Sequence, residues 1–295
     1  MIISNLVGGL GNQMFQYACA RSLSLELDLP LKFCTDTFGA YNAHNGFELT
    51  RVFKLNLEIA NTGDLAALIG WTQSFPSVRR ALEKRSFSYL ASHRFLSESH
   101  LKHGASLRDL VRKGGYLHGY WQSERYFASH AAQIRADFKF PQDLCEVNLH
   151  IANIISQRTA ISVHIRRGDY VSNAKTLAVH GTCSPEYYQV AIDTLLQRCP
   201  GAQLIAFSDD PRWTSEVLLP RYPAMVLVEH NRGVDSYIDM RLMSMCQHHI
   251  IANSSFSWWG AWLNPSPSKM VIAPSRWFAD GRDSSDLVPE GWEKM

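Results

Sequence analysis

Between Ala160 and Tyr170 apolar and polar positions alternate, with Ile161, Val163 and Ile165 set against Ser162, His164 and Arg166. A period of two is the pattern of a half-buried strand, so a strand is predicted over 160–166 with His164 and Arg166 on one face. Arg167-Gly168-Asp169 then turns the chain, because glycine reaches backbone angles that other residues resist. Short apolar runs predict further strands over 204–207, 225–228, 249–252 and 270–273. Between them the spacing becomes helical. Ser184 and Pro185 open a helix that buries Tyr188, Ala191, Ile192, Leu195 and Cys199 and stops at Pro200-Gly201. A second helix over 235–247 has Ile238, Leu242 and Met245 in register, and a third over 258–263 is opened by Ser254-Ser255-Phe256-Ser257.

The start of the chain follows the same grammar. A strand over 2–7 meets the glycine turn Gly8-Gly9-Leu10-Gly11; a helix follows with Asn12 as its cap and Met14, Tyr17, Ala18, Leu23 and Leu27 on its apolar face. A strand over 29–35 comes next. Residues 141–148 lack periodicity and read as a seam, giving an N-terminal α/β domain over 1–150 and a Rossmann-like domain over 151–295. Alternating strands and helices imply a parallel, doubly wound sheet, which takes ligands beyond the carboxyl ends of its strands. Three polar clusters fall at such ends: His164 to Asp169, Ser208 to Asp210, and Asn253 to Ser257.

Composition narrows the class. With 295 residues, 46% hydrophobic and 19% charged, the chain has room for two ordinary cores. A net charge of +2 gives no argument for nucleic acid. The 6 cysteines form no C-x-x-C pair, which suggests free thiols in a reducing compartment and no zinc site. The N-terminus does not read as a signal peptide, and no run reaches the roughly 18 apolar residues of a membrane span. A cytoplasmic location is expected. Trp71 to Arg94 carries Arg79, Arg80, Lys84, Arg85 and Arg94 against Glu83, with Phe75, Val78 and Leu82 at helical spacing. That is compatible with a peripheral contact to anionic lipid and with an ordinary solvated face.

Each cluster has a chemistry. Arg166 and Arg167, beside a turn at a strand end, suit phosphate oxygens through forked hydrogen bonds, although surface ion pairing explains them too. Ser254 and Ser255, where a strand meets a helix, form a seat for phosphate or an ordinary cap. Asp209 or Asp210 could accept from the N1–H and amino group of guanine, or hold a divalent metal under a diphosphate. His164 orients base or phosphate, or is a satisfied core histidine. In Tyr116 to Phe127 the aromatic residues suit a sugar ring, with Gln122 and Glu124 for hydroxyls, but also suit a plain core. Gly9-x-Gly11 before a helix is a partial dinucleotide fingerprint lacking its third glycine, which keeps a nicotinamide-dependent oxidoreductase open.

Four segments carry a resemblance: Gly8 to Ala18, Gly119 to Ser123, His164 to Tyr170, and Asn253 to Trp262. Together they resemble the bacterial alpha-1,2-fucosyltransferases of glycosyltransferase family 11, from near residue 1 to about 275. The resemblance implies a GT-B-like fold, two Rossmann-like domains facing a cleft, with the acceptor on the N-terminal side. It implies GDP-fucose as co-substrate, no cofactor and no obligatory metal, and inverting transfer to the 2-hydroxyl of a galactose, or fucosyltransfer to another hydroxyl or sugar. Arg166 would hold the β-phosphate; His164 and Asp209 would sit on guanine. Ser254, Ser255 and Phe256 would lie on the phosphate side, with Arg167, Asp210 and Gly11 also in the donor site. Asn12 would face the sugar or the acceptor. Asp169 is the nearest candidate for a general base, or else orients the arginines. The cytoplasmic location suggests a lipid-linked repeat unit of a surface polysaccharide such as O-antigen as acceptor.

Overall fold

The computed structural model describes residues 1–39, 45–82, 87, 90–98 and 106–295, with Asp169 described through its backbone alone. The chain divides into two compact units, Met1–Pro141 and Gln142–Met295. The helix Glu146–Gln157 belongs to the second unit and runs unbroken through position 150.

In the first unit β1 (Ile2–Asn5), β2 (Leu31–Cys34), β3 (Phe95–Ser97) and β4 (Gly115–His118) form a parallel sheet in the order β2-β1-β4-β3. The helix Leu10–Leu27 follows β1 and is buried on nearly all sides, not along one stripe. Cys19, Ala20 and Leu23 pack with Ile2, Leu117 and Trp121 on one side. On another, Tyr17 lies on Phe33 at 5.6 Å and on Phe138 at 5.2 Å. Its buried glutamines are satisfied, as burial requires. Gln13 Nε2 donates to the carbonyls of Gly8 and Gly46, both at 2.8 Å, and its Oε1 accepts from Glu48 N at 2.9 Å. Gln16 Oε1 accepts from Val7 N at 2.9 Å while its Nε2 donates to Gly119 O at 3.1 Å.

Two expectations change here. Asn12 is not the helix cap: Gly9 holds that position without a side-chain bond, and Asn12 stands inside the first turn. The helix expected from Trp71 onward is interrupted at Phe75-Pro76, giving a short turn, Thr72–Ser74, and the helix Pro76–Leu82. Arg79 points inward to Asp36 and the Ser74 carbonyl, with its guanidinium 5.6 Å from the Tyr116 ring centroid. Glu83, Lys84 and Arg85 lie outside the described residues.

In the second unit β5 (Ala160–Ile165), β6 (Gln203–Ser208), β7 (Val226–Val228), β8 (His248–Ile250), β9 (Val271–Ala273) and β10 (Glu293–Lys294) make one parallel sheet, ordered β10-β9-β8-β5-β6-β7. The chain winds outward from β5 through β7, then returns to the other side of β5, so the order reverses between β5 and β8. β5 is central and buried along its whole length, not half-buried. Its polar residues are accommodated from within: Ser162 Oγ lies 2.8 Å from His249 Nδ1, whose Nε2 is 3.0 Å from Asn264 Nδ2.

The Ser184-capped helix Pro185–Arg198 forms as its sequence predicts. Tyr237–Met245 buries Tyr237, Met240, Leu242 and Met243, whereas Met245 is exposed, so the apolar face is rotated from the one predicted. Two short helices, Gly168–Ser172 and Ala174–His180, lie between β5 and that capped helix.

Candidate active site

In the second unit the switch point gathers the polar clusters. Arg166 leaves the carboxyl end of β5, and its Nη1 meets Asp209 Oδ2, beyond the end of β6, at 3.0 Å. Asp209 Oδ1 accepts from the Arg167 backbone N–H at 2.7 Å, so both oxygens brace the arginine turn. Gly168 opens a helix with no left-handed φ, so what it gives the turn is room: a Cβ there would come within 2.8 Å of Asp209 Oδ2, and the carboxylate would have to shift. The Arg166 guanidinium lies 5.4 Å from the Tyr170 ring centroid and that of Arg167 4.5 Å from Trp213, contacts that hold a planar fork in place. Arg167 Nε also approaches Asp210 Oδ2 at 3.3 Å, and Asp210 caps the helix Pro211–Val217 by accepting from Trp213 N at 3.1 Å. Asp169 lies on the helix Gly168–Ser172, its side chain outside the described residues.

Beyond the end of β8, Ser254 caps the helix Ser255–Leu263, its Oγ accepting from Phe256 N at 3.3 Å. Asn253 anchors this entry: its Nδ2 donates to His180 O at 2.8 Å and Trp277 O at 3.1 Å. Ser255 and Phe256 are half-buried, and Phe256 lies 5.8 Å from the His164 ring. His164 is 6% exposed, and its Nδ1 is buried without a hydrogen-bond partner. Burial pushes this imidazole down to about 4, with Asp209 opposing and Arg166 reinforcing the shift. A neutral ring with an unused nitrogen thus stands between the arginine turn and the Ser254 cap.

A further polar cluster at the same edge was not read from the sequence. Helices returning to a parallel sheet start at its carboxyl edge, which places the first turns of Glu146–Gln157 and Tyr237–Met245 there. Asn148 and Asn231 exchange amide hydrogen bonds at 2.9 Å, and Asn231 Nδ2 also donates to Asp239 Oδ1 at 2.8 Å. His230 Nε2 lies 2.9 Å from Asn148 Oδ1. Burial raises the Asp239 carboxyl to about 7, against the pull of Asn231 and Arg232. The available sequence signal was a polar run, Glu229 to Arg232, following a short apolar one. Among the described residues no group of three or more His, Cys, Asp and Glu side chains could hold a metal ion.

The first unit has its own reversal of strand order, between β1 and β4. There Asn5 Nδ2 and His118 Nδ1 are 3.1 Å apart, and Gln122 Nε2 donates to Asn12 Oδ1 at 2.7 Å. Two of the residues singled out in the sequence therefore meet. Glu124 begins the turn Glu124–Tyr126 and interacts electrostatically with Arg135, while Gly11 is buried in the first turn of the long helix. Trp121 takes a left-handed φ of 54° with its ring fully buried, and Glu98 accepts from its N–H at 3.0 Å. The aromatic density around it is therefore partly core.

The family model for glycosyl transferase family 11 matches residues 103–294. An alpha-1,2-colitosyltransferase of Escherichia coli is 36% identical over 100% of this chain and 99% of its own. The O-antigen biosynthesis glycosyltransferase WbnK of Escherichia coli is 34% identical over 98% of each. Galactoside alpha-(1,2)-fucosyltransferase 1 of Ateles belzebuth is 25% identical over 87% of this chain and 63% of its own. Among solved structures, that of the Bradyrhizobium fucosyltransferase NodZ aligns with a TM-score of 0.54 and 15% identity over 90% of this chain and 92% of its own, a likeness of fold that is GT-B-like. With a parallel sheet in each unit and arginines braced at the switch point of the second, the chain belongs to glycosyl transferase family 11.

Proposed function

We propose that the chain transfers L-fucose from GDP-fucose, with inversion, to the 2-hydroxyl of a terminal galactose in a surface-polysaccharide repeat unit. The observation that carries this reading is Arg166 at the end of β5, held by Asp209 beside the Ser254-capped helix. As the bond from sugar to phosphate breaks, positive charge grows on the ring and negative charge on the departing diphosphate. A fixed guanidinium and a helix N-terminus aimed at that diphosphate stabilise the charge where it develops. Arg167 adds a second cation, and charge neutralisation by these groups makes a metal unnecessary in this reading.

Asp209 is committed to the arginine turn, so in this proposal it positions Arg166 instead of reading the base. In this proposal Asp239, buried on a helix that starts at the same edge, takes the N1–H and amino group of guanine, and His164 Nδ1 is a further hydrogen-bonding atom offered to the nucleotide. The Asn12–Gln122 pair addresses the acceptor sugar in the first unit. Asp169 keeps the role of a candidate base. The galactoside fucosyltransferase and O-antigen relatives support the linkage and the acceptor class, and a NodZ structure co-crystallized with GDP supports the nucleotide. A cytoplasmic site of action is part of this proposal; among the described residues no helix is long and apolar enough to cross a membrane.

A second reading keeps the mechanism and changes the sugar. The 36% identity to a colitosyltransferase favours GDP-colitose, whose sugar is fucose without its 3-hydroxyl. Melting the protein with GDP, UDP, ADP and NAD tests the nucleotide, since only a bound one raises Tm by mass action; a shift with UDP or NAD alone would defeat the proposal. Turnover of GDP-fucose against GDP-colitose on a β-galactoside acceptor, with and without EDTA, decides the sugar and the need for metal.

A further inference from the structure

The turn after β4 holds a bulky residue in a conformation that such residues avoid. Trp121 has a φ of 54°, in the left-handed region where a large side chain is strained, and its Nε1 is buried without a hydrogen-bond partner among the described residues. Backbone strain of this kind persists only where the surroundings over-determine it, and it gathers at sites that bind or react. Here the residues that impose it are visible.

β3 lies beside β4 with Ser97 opposite His118, so Glu98 leaves β3 level with Gly119. Its carboxylate folds over the turn: Oε2 accepts from Tyr120 N at 2.6 Å, and both oxygens accept from Trp121 N, at 3.0 and 3.1 Å. Gly119 makes room for it, since a Cβ there would come within 2.5 Å of Glu98 Cβ. Burial raises this carboxyl, and the two amide bonds draw it back. Gln16 Nε2 donates to Gly119 O at 3.1 Å, and Ser123 N closes a three-residue turn onto Trp121 O at 2.8 Å. Gln122 is the central residue of that turn, and its Nε2 donates to Asn12 Oδ1 at 2.7 Å. Asn12 is seated as closely: Gly8 stands against it with a φ of 78°, and a Cβ there would come within 2.8 Å of Asn12 Nδ2. Beside their mutual bond the two amides carry an acceptor, Gln122 Oε1, and a donor, Asn12 Nδ2, the pair that one sugar hydroxyl satisfies.

We propose that Glu98 is a positioning residue for the acceptor, holding Trp121 in its left-handed conformation so that Gln122 meets Asn12. The inference rests on the assignment of the Asn12–Gln122 pair to the acceptor sugar. Glu98 itself acts on the backbone and not on the substrate. A neutral amide in its place keeps the volume, but it offers one oxygen and turns an NH2 toward a backbone N–H.

The test is steady-state transfer to methyl β-galactoside by the full chain, from whichever of GDP-fucose and GDP-colitose it uses, with KM for the galactoside measured at saturating donor. Glu98→Gln is expected to raise that KM about tenfold, the scale of one lost hydrogen bond, while the GDP-dependent Tm shift persists. Gln122→Leu and Asn12→Leu are expected to raise KM as far. Because Glu98 acts through Gln122, the double variant Glu98→Gln/Gln122→Leu is expected to lie within about twofold of Gln122→Leu alone. A carboxylate that only stabilises the fold would lower Tm, and its effect on KM would multiply with that of Gln122→Leu; multiplication overturns the proposal. So does an unchanged KM in Glu98→Gln where Gln122→Leu raises it. An unchanged KM in both Gln122→Leu and Asn12→Leu would instead withdraw the acceptor assignment, and this inference with it. Glu98→Asp, which keeps both oxygens on a shorter stem, replaces Glu98→Gln if that variant melts below the assay temperature, and the same outcomes decide.

Discussion

Arg166 is the residue on which turnover is expected to depend most. Its guanidinium is fixed by Asp209 and lies near the Tyr170 ring. Removing a preorganised donor at a developing charge costs on the order of 100-fold in rate. Arg166→Ala is therefore expected to lower kcat by about 100-fold or more, with Arg166→Lys between it and the wild type because lysine lacks the fork. Asp209→Asn is expected to lower kcat less and to leave the preference for guanine nucleotides intact, if Asp209 positions Arg166. Asp239→Asn is expected to weaken GDP against ADP in competition, and equal competition would remove Asp239 from the base. The arginines themselves were legible, because period-two alternation followed by a glycine turn has few interpretations. The division of labour among the aspartates was not, since adjacent Asp209 and Asp210 look equivalent in sequence and only the fold shows which one meets Arg166. Asp239 was hidden inside a helical pattern, where one acid among apolar residues reads as a solvent-facing position.

At the level of elements, the long helix Leu10–Leu27 shows what a periodic reading overlooks. Gln13 and Gln16 break its apolar face, yet both are buried, because their amides tie β1's exit to the chain around Gly46 and Gly119. Gln16→Leu would leave the Val7 N–H and the Gly119 carbonyl without these partners. At about 1–3 kcal/mol for an unsatisfied buried group, Tm should fall by roughly 3–10 °C, measurable by calorimetry. β5 was misjudged as half-buried for a related reason: a central parallel strand is covered on both sides, with its Ser162 accommodated by His249 of the neighbouring strand and its His164 buried with Nδ1 unpartnered. That burial has a pH signature. His164 is pushed down to about 4 and His249 well below its ordinary value, both by burial. The unfolded chain takes up protons near the ordinary value of 6.5 while the folded chain does not, so this stability is complete above 6.5 and is lost as pH falls toward about 4. Asp239, raised to about 7, acts in the opposite sense, and its contribution is lost as pH rises from the usual carboxylate range to about 7. Melting wild type and Asp239→Asn from pH 4 to 8 should show the variant gaining on the wild type as pH rises; parallel curves would contradict the buried carboxyl.

For the whole molecule, the alternation of strands and helices was enough to predict parallel doubly wound architecture, because local periodicity and short connections leave few other arrangements. The two-residue strand β10 was not foreseen, being too short to carry any period. Each unit has its own parallel sheet and buried cluster, the second built on Ile161, Val163, Ile192 and Leu195 among others. Every candidate donor residue except Gly11 lies in Gln142–Met295. A domain whose core and binding edge are both internal keeps its ligand site when separated at a surface linker. The fragment 142–295, expressed alone, is therefore expected to melt cooperatively and to gain Tm with GDP, with affinity within about tenfold of the full chain. It should transfer no sugar, since the Asn12–Gln122 pair is absent. A folded fragment that does not respond to GDP, beside a full chain that does, would move an essential part of the nucleotide site into the first unit and make Gly11 a donor contact instead of a packing residue.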